Sequence, residues 1–173
     1  IDMYLLHWPG RYPLVDTVAA FQTLQRQGKI RHWGVSNFDT DEMEALWKVP
    51  GGDGCQINQV LYNLSRRGVE WDLMPWSRDH AVPIMAYSPL EQGRLLDNKT
   101  LSKIAARRGV TAAEVALAWT LREDGVMTIP KASALGHVER NRAAWDLNLA
   151  PDDLAELDEA FPPPSDKRSL AIL

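Results

Sequence analysis

The chain is 173 residues long, 45% hydrophobic and 24% charged, enough for one sizeable core. A formal net charge of −4 excludes a broad nucleic-acid surface, and no apolar run approaches the roughly 20 residues needed to cross a bilayer. Cys55 is the only cysteine, so no internal disulfide is expected and a reducing cytoplasm is the expected compartment. No signal peptide precedes the first apolar run, and the missing initial methionine predicts that an upstream segment has been removed or left out.

Ile1–Leu6, IDMYLL, reads as a buried parallel strand, with His7 where it should end and Trp8, Pro9 and Gly10 behind it. Chemistry in parallel α/β folds collects at the carboxyl ends of strands, which favours a functional His7 over a core imidazole bonded to a backbone carbonyl. Asp16 predicts the N-cap of a helix carrying Val18, Ala20, Phe21 and Leu24, stopped at Gly28. Ile30–Asn37 is a second strand ending in Ser36 and Asn37. Asp39 and Glu42 then make a capping box for a helix presenting Met43, Leu46 and Trp47, broken by Pro50, Gly51 and Gly52.

Cys55–Tyr62 is the third strand, with Asn58 and Gln59 inside its apolar run. A helix over Val69–Asp79 follows, with Trp71, Met74 and Trp76 as its apolar residues. Val82–Pro89 is the fourth strand, tipped by Tyr87 and Ser88. Glu91–Asn98 predicts a polar loop and Leu101–Arg108 a helix. A second capping box, Thr111 with Glu114, opens a helix whose Val115, Ala118, Trp119 and Leu121 face the core. Gly125–Pro130 is the fifth strand, with Lys131 at its tip. Helices over His137–Leu147 and from Pro151, carrying Leu154, Leu157 and Phe161, close the pattern. Pro162–Leu173 reads as an irregular surface tail.

Five strands separated by helices require parallel pairing and right-handed crossovers. A doubly wound sheet of the flavodoxin type fits the length but predicts a Gly-rich phosphate loop after the first strand. His7–Arg11, HWPGR, is not such a loop. A (β/α)8 barrel, which takes about 250 residues, predicts polar groups at nearly every strand end, converging on one mouth. His7, Ser36, Asn37, Gln59, Tyr87, Ser88 and Lys131 meet that requirement. The expected fold is therefore α/β, a TIM barrel truncated to about its last five βα units (strands 4–8) plus C-terminal helices, one domain over 1–173.

LLHWP (Leu5–Pro9), GVSNF (Gly34–Phe38), NQVLYN (Asn58–Asn63), AYSPL (Ala86–Leu90) and IPKAS (Ile129–Ser133) are spread in order over nearly the whole chain. Together they resemble the aldo-keto reductases, most of all the bacterial branch that reduces small aldehydes such as methylglyoxal or 2,5-diketogluconate-type substrates. The resemblance implies NADPH, with NADH the second candidate, bound extended at the carboxyl ends of the strands. It implies that Ser36, Asn37 and Gln59 hold the nicotinamide carboxamide, a task suited to groups that donate and accept together. Capping of the following helix is the alternative use of Ser36 and Asn37, and Asp39 already fills that need.

By the same resemblance Tyr87 stacks on the nicotinamide and Ser88, Leu90, Gln92 and Gly93 fold over the pyrophosphate. Lys131 and Ser133 correspond to the 2′-phosphate site, where a helix N-terminus adds partial positive charge. His137 stands where the family usually has an arginine, and is only partly charged near neutrality. Asn141 matches the family's adenine-binding asparagine; Arg140 replaces its glutamate and is suited either to stacking on adenine or to partly replacing the missing 2′-phosphate arginine. Trp8 is placed to line the aldehyde pocket, whereas Trp33, Trp47, Trp71 and Trp76 read as core packing. No metal is expected.

The family transfers hydride to a carbonyl, with a tyrosine as proton donor tuned by a lysine and an aspartate, and a histidine orienting the carbonyl oxygen. Only that histidine has a counterpart here, His7; Tyr4, Tyr12, Tyr62 and Tyr87 lie outside the motif for the acid. The chain alone is expected to bind nucleotide without reducing carbonyls, the complete protein being the reductase and a monomer. An open barrel should have unpaired edges and self-associate. A non-catalytic nicotinamide-nucleotide-binding module and a flavodoxin-like binding protein are the alternatives.

Overall fold

The apolar runs fold as β1 (Met3–Leu6), β2 (His32–Ser36), β3 (Asn58–Leu61), β4 (Ile84–Tyr87) and β5 (Val126–Thr128) in a computed structural model describing residues 1–173. All neighbours pair in parallel, in the order β1-β2-β3-β4-β5. That order has no reversal, so a doubly wound sheet is ruled out. Crossovers of one hand between successive neighbours carry every connecting helix to the same face of the sheet. Those helices are α1 (Leu14–Arg26), α2 (Thr40–Trp47), α3 (Leu73–Asp79), α4 (Lys99–Arg108) and α5 (Ala112–Leu121); α6 (Leu135–Ala143) and α7 (Pro151–Ala160) follow β5.

Register and the period-two alternation of strands assign the faces. Tyr4 pairs with Trp33, and Leu6, Val35, Asn58, Ile84 and Val126 form one row, with Val60 and Ala86 above. Trp33, Val35, Val60, Ile84, Ala86 and Val126 share a buried cluster with Phe21, Met43, Leu46, Leu73, Leu101, Ile104 and Leu157 from the helices. The opposite parity carries Leu5 and Gly34, then Ser36, Gln59, Met85 and Met127, then Leu61 and Tyr87. Gly34 is needed there: a Cβ would lie 2.5 Å from the Ile57 carbonyl oxygen and 2.9 Å from Leu5 Cδ2.

Both capping boxes form. Asp39 accepts from the Thr40 N–H while Glu42 accepts from the Asp39 N–H, and Thr111 and Glu114 repeat the exchange at α5. Asp16 does not cap α1, which begins after Pro13 because the fixed proline φ suits a helix entrance; Asp16 sits in the first turn. Asn98 caps α4 instead, accepting from Thr100 and Leu101, so that helix starts at Lys99.

Val69–Asp79 is not one helix but a 3-10 turn, Gly68–Glu70, followed by α3, and Trp71 between them is 47% exposed. Helix α6 begins two residues before His137 and yields to a 3-10 turn at Ala144–Asp146. Glu91–Asp97 is a kinked 3-10 segment with Glu91 and Leu95 buried, where a plain polar loop is predicted. The tail has no regular structure yet is tied down. Arg67 Nη1 donates to the Phe161 carbonyl at 2.5 Å, Leu170 packs on the core, and Lys167 Nζ lies 2.7 Å from Asp72. No helix is long and apolar enough to cross a membrane.

Candidate functional site

Because every strand is parallel, the five carboxyl ends share one rim, and it carries the polar tips. Asn37, buried at φ 58°, is the hub. Its Nδ2 lies within hydrogen-bonding distance of both the His7 carbonyl and Ser36 Oγ, each at 3.1 Å, and its Oδ1 accepts from the Tyr87 hydroxyl at 3.3 Å. Ser36 Oγ donates to the Gln59 carbonyl at 2.8 Å, and Gln59 Nε2 approaches Met85 Sδ at 3.0 Å. Four strand ends, β1 to β4, are thus joined by side chains that each keep a polar group on the rim. A left-handed Asn turns the chain sharply after β2 and aims its amide sideways along the row of tips.

His7 is exposed, its ring 5.5 Å from that of the exposed Trp8. Tyr87 is half-buried, and burial raises its pKa; the main chain of Leu173 favours the phenolate and the Glu91 charge opposes it. Its hydroxyl therefore stays protonated and acts as a donor. Asn58, one residue before Gln59, faces the helices, where Nδ2 donates to the Phe38 carbonyl at 2.8 Å. The two polar residues inside the third apolar run thus do different work, one on each face.

After β4 the chain runs through Ser88, Leu90, Gln92 and Gly93, with positive φ at Ser88 (47°), Gln92 (56°) and Gly93 (91°). Left-handed conformations cost roughly 1–2 kcal/mol each for non-glycine residues and gather at functional loops. Leu90 also lines a cleft of about 430 Å³ with Leu96, Thr111, Ala112, Ala113, Lys131, His137, Arg140 and Asn141. Lys131, His137 and Arg140 are exposed there and the Asn141 amide is half-buried, two fixed cations and an imidazole beside an amide. Ser133 is exposed in the loop before α6 and does not line this cleft.

Asn63, Arg66 and Glu91 escape the sequence reading, although they hold the loop after β4. Asn63 Nδ2 donates to the Ser88 carbonyl at 2.9 Å and to Glu91 Oε2 at 2.8 Å, and Arg66 grips Glu91 Oε1 through Nε and Nη2 at 3.0 and 2.7 Å. Burial works to raise the Glu91 carboxyl, but hydrogen bonds from Arg66 and Asn63 and the charges of Arg66 and Arg94 outweigh it and hold it below the usual carboxylate range. Asn63 closes the NQVLYN run and is a legible signal; nothing in the pattern around Glu91 marks it as buried.

The parallel sheet with polar groups at its carboxyl ends is the arrangement of part of a (β/α)8 barrel. The aldo/keto reductase family model matches residues 1–161, and the chain belongs to that family. The methylglyoxal reductase YeaE of Escherichia coli K12 is 49% identical across all of this chain and 63% of its own length. The glyoxal reductase of Bacillus subtilis 168 is 36% identical over 91% of this chain and 56% of its own. An aldo/keto reductase from Klebsiella pneumoniae, solved in complex with NADP and acetate, superimposes with a TM-score of 0.98 at 48% identity, covering all of this chain and 63% of that one. The chain thus spans under two thirds of the length of these relatives.

Proposed function

We propose that this chain carries the nucleotide-gripping part of an NADPH-dependent reductase of small aldehydes and ketones. The observation that carries the reading is the single rim on which the Asn37 network, the left-handed loop after β4 and the cationic cleft lie together. These residues fit a dinucleotide. Ser36, Asn37 and Gln59 offer paired donors and acceptors for a carboxamide, and Tyr87 offers an aromatic face. Ser88, Leu90, Gln92 and Gly93 bring main chain towards phosphates, Lys131, Ser133 and His137 are set for an adenosine 2′-phosphate, Asn141 for the adenine, and Arg140 for either.

When bound, the reduced nicotinamide supplies hydride to a carbonyl carbon. His7 orients the carbonyl oxygen, with Trp8 beside it as an apolar wall, and the Asn37 bond to the His7 main chain fixes where that imidazole starts. The methylglyoxal and glyoxal reductases among the relatives support a small, polar carbonyl substrate. His7 is the one residue here matched to the reaction chemistry, so the 173-residue chain alone binds nucleotide without turning aldehyde over. The complete protein acts as a cytoplasmic monomer in this reading.

Quenching of tryptophan fluorescence by NADPH and by NADH tests it. NADPH should bind tighter, and Lys131→Met should weaken NADPH by roughly 10–100-fold, the worth of one charge-assisted hydrogen bond, while leaving NADH unchanged. Equal affinity for the two nucleotides would remove the role given to Lys131 and Ser133. Aldehyde-dependent NADPH oxidation by the chain alone would refute its assignment as the binding part only.

A further inference from the structure

Between Ser88 and Gly93 four of six residues are left-handed, Ser88 (φ 47°), Glu91 (47°), Gln92 (56°) and Gly93 (91°), and only the last is a glycine. A glutamate rarely adopts that backbone unaided. Glu91 is also 4% exposed, so its carboxylate is withdrawn from water directly beneath the loop. Two short turns, Glu91 N–H to the Ser88 carbonyl at 3.0 Å and Gly93 N–H to the Leu90 carbonyl at 2.8 Å, shape the loop from inside. The rest of its support comes from the segment after β3.

Asn63 is fully buried, and its side chain uses its groups completely: Nδ2 to Ser88 O and Glu91 Oε2, Oδ1 from the Ser65 N–H at 2.9 Å. Arg66 holds the other carboxylate oxygen in a two-pronged grip. A buried anion beside a phosphate-binding loop repels its ligand unless it is neutralised. Arg66 at 2.7 Å and Arg94 at 3.7 Å do that. The acid is therefore not a ligand, and its one evident consequence is the loop's shape.

We propose that Glu91 is a positioning residue for nucleotide binding: anchored by Asn63 and Arg66, it keeps Ser88–Gly93 in the phosphate-gripping form before the nucleotide arrives. This rests on the functional reading above. A loop that is competent for only part of the time binds in proportion to that fraction. The pyrophosphate is common to NADPH and NADH, so a loop defect weakens both equally, unlike the loss of Lys131.

Glu91→Gly separates support from strain, because glycine tolerates the left-handed backbone while removing the carboxylate. In hydrogen exchange without nucleotide, the amides of 88–94 should exchange faster in Glu91→Gly than in the unaltered chain. Tryptophan quenching should show NADPH and NADH both weakened about tenfold, the result of a competent fraction lowered about tenfold. Glu91→Gln, which keeps one acceptor for Arg66 or Asn63, should fall between. Asn63→Ala, which loosens the loop while leaving Arg66 and Arg94 to neutralise Glu91, gives the same comparison if Glu91→Gly fails to fold. Unchanged affinities for both nucleotides, or unchanged exchange across the loop, would overturn the proposal. Failure of the unaltered chain to bind either nucleotide would overturn the functional reading and the nucleotide half of this proposal, leaving the exchange data to decide whether Glu91 holds the loop.

Discussion

Asn37 concentrates on one residue what the rim does collectively. It is buried, left-handed, and in contact with His7, Ser36 and Tyr87. Asn37→Ala leaves the part-buried His7 carbonyl without its side-chain partner and keeps a β-carbon at φ 58° without the short polar side chain that makes asparagine tolerant of that backbone. Together these should lower unfolding free energy by roughly 2–3 kcal/mol. Asn37→Gly loses the same contacts but not the backbone compatibility, so its denaturation midpoint should lie above that of Asn37→Ala. Equal midpoints for the two variants would show that the backbone conformation is not a cost. At this scale the sequence is most legible where a polar side chain interrupts an apolar run: Ser36, Asn37, Gln59 and Tyr87 all stand out this way and all reach the rim. Parity decides the rest, and parity is invisible until register is known. Asn58 and Gln59 look alike in the string, yet one caps Phe38 behind the sheet and the other faces the rim. Glu91 is illegible for another reason, since its burial depends on Asn63 and Arg66, 28 and 25 residues away.

Between elements, α4 and α7 are joined by charge. Arg107 and Arg108 both bond Asp153, whose side chain is 1% exposed, and Asp153 also accepts from the Ala150 N–H at 2.9 Å, while Glu156 takes Lys103 and Arg107. Burial pushes the Asp153 carboxyl up, but the hydrogen bonds from Arg107, Ala150 and Arg108 more than reverse this and hold it below the usual carboxylate range. A carboxyl depressed in the folded state adds stability that is present above its unfolded pKa, near 3.8. That stability is lost as pH falls through the lower folded value. Urea midpoints measured downwards from pH 6 should therefore drop below about pH 4, and Asp153→Asn should flatten that limb. At neutral pH Asp153→Asn should cost roughly 1–3 kcal/mol, less than a fully buried pair because both arginines are partly exposed. A pH profile unaltered by Asp153→Asn would remove the clamp. Helix limits follow the same logic of partners. The Asp39 and Thr111 boxes are local in sequence and were legible, whereas Asp16 lost its place to Pro13 and the Val69–Asp79 helix broke where Arg67 and Glu70 turn to the tail and to Tyr62.

For the whole molecule the consequential fact is that helices cover one face of the sheet while the other is covered only in part. Helices bury Trp33, Val35, Val60, Ile84, Ala86 and Val126, whereas on the other parity Ser36 and Leu61 are buried, Leu5 and Met85 half-buried, and Met127 is 41% exposed. β1 pairs only with β2 and β5 only with β4, so two strands also keep unpaired backbone groups. Strand succession and polar tips were enough to indicate a barrel-type sheet from sequence, because both are local patterns repeated along the chain. The 173-residue chain by itself should therefore associate through the partly covered face and those edges, since apolar sheet surface with a free edge is a template for pairing. A lysine pointing inward on an edge strand is the standard obstacle to such pairing, and Met127 occupies that position on β5. Light scattering on the unaltered chain should give a mean mass above 19.5 kDa that rises with concentration, and Met127→Lys should bring it down towards that value. Because Met127 lies on the face away from the helices, the substitution leaves the buried cluster intact, so far-ultraviolet circular dichroism should not change. A concentration-independent mass of one chain with cooperative unfolding would mean that the exposed face is tolerated in water, and the association argument would fail.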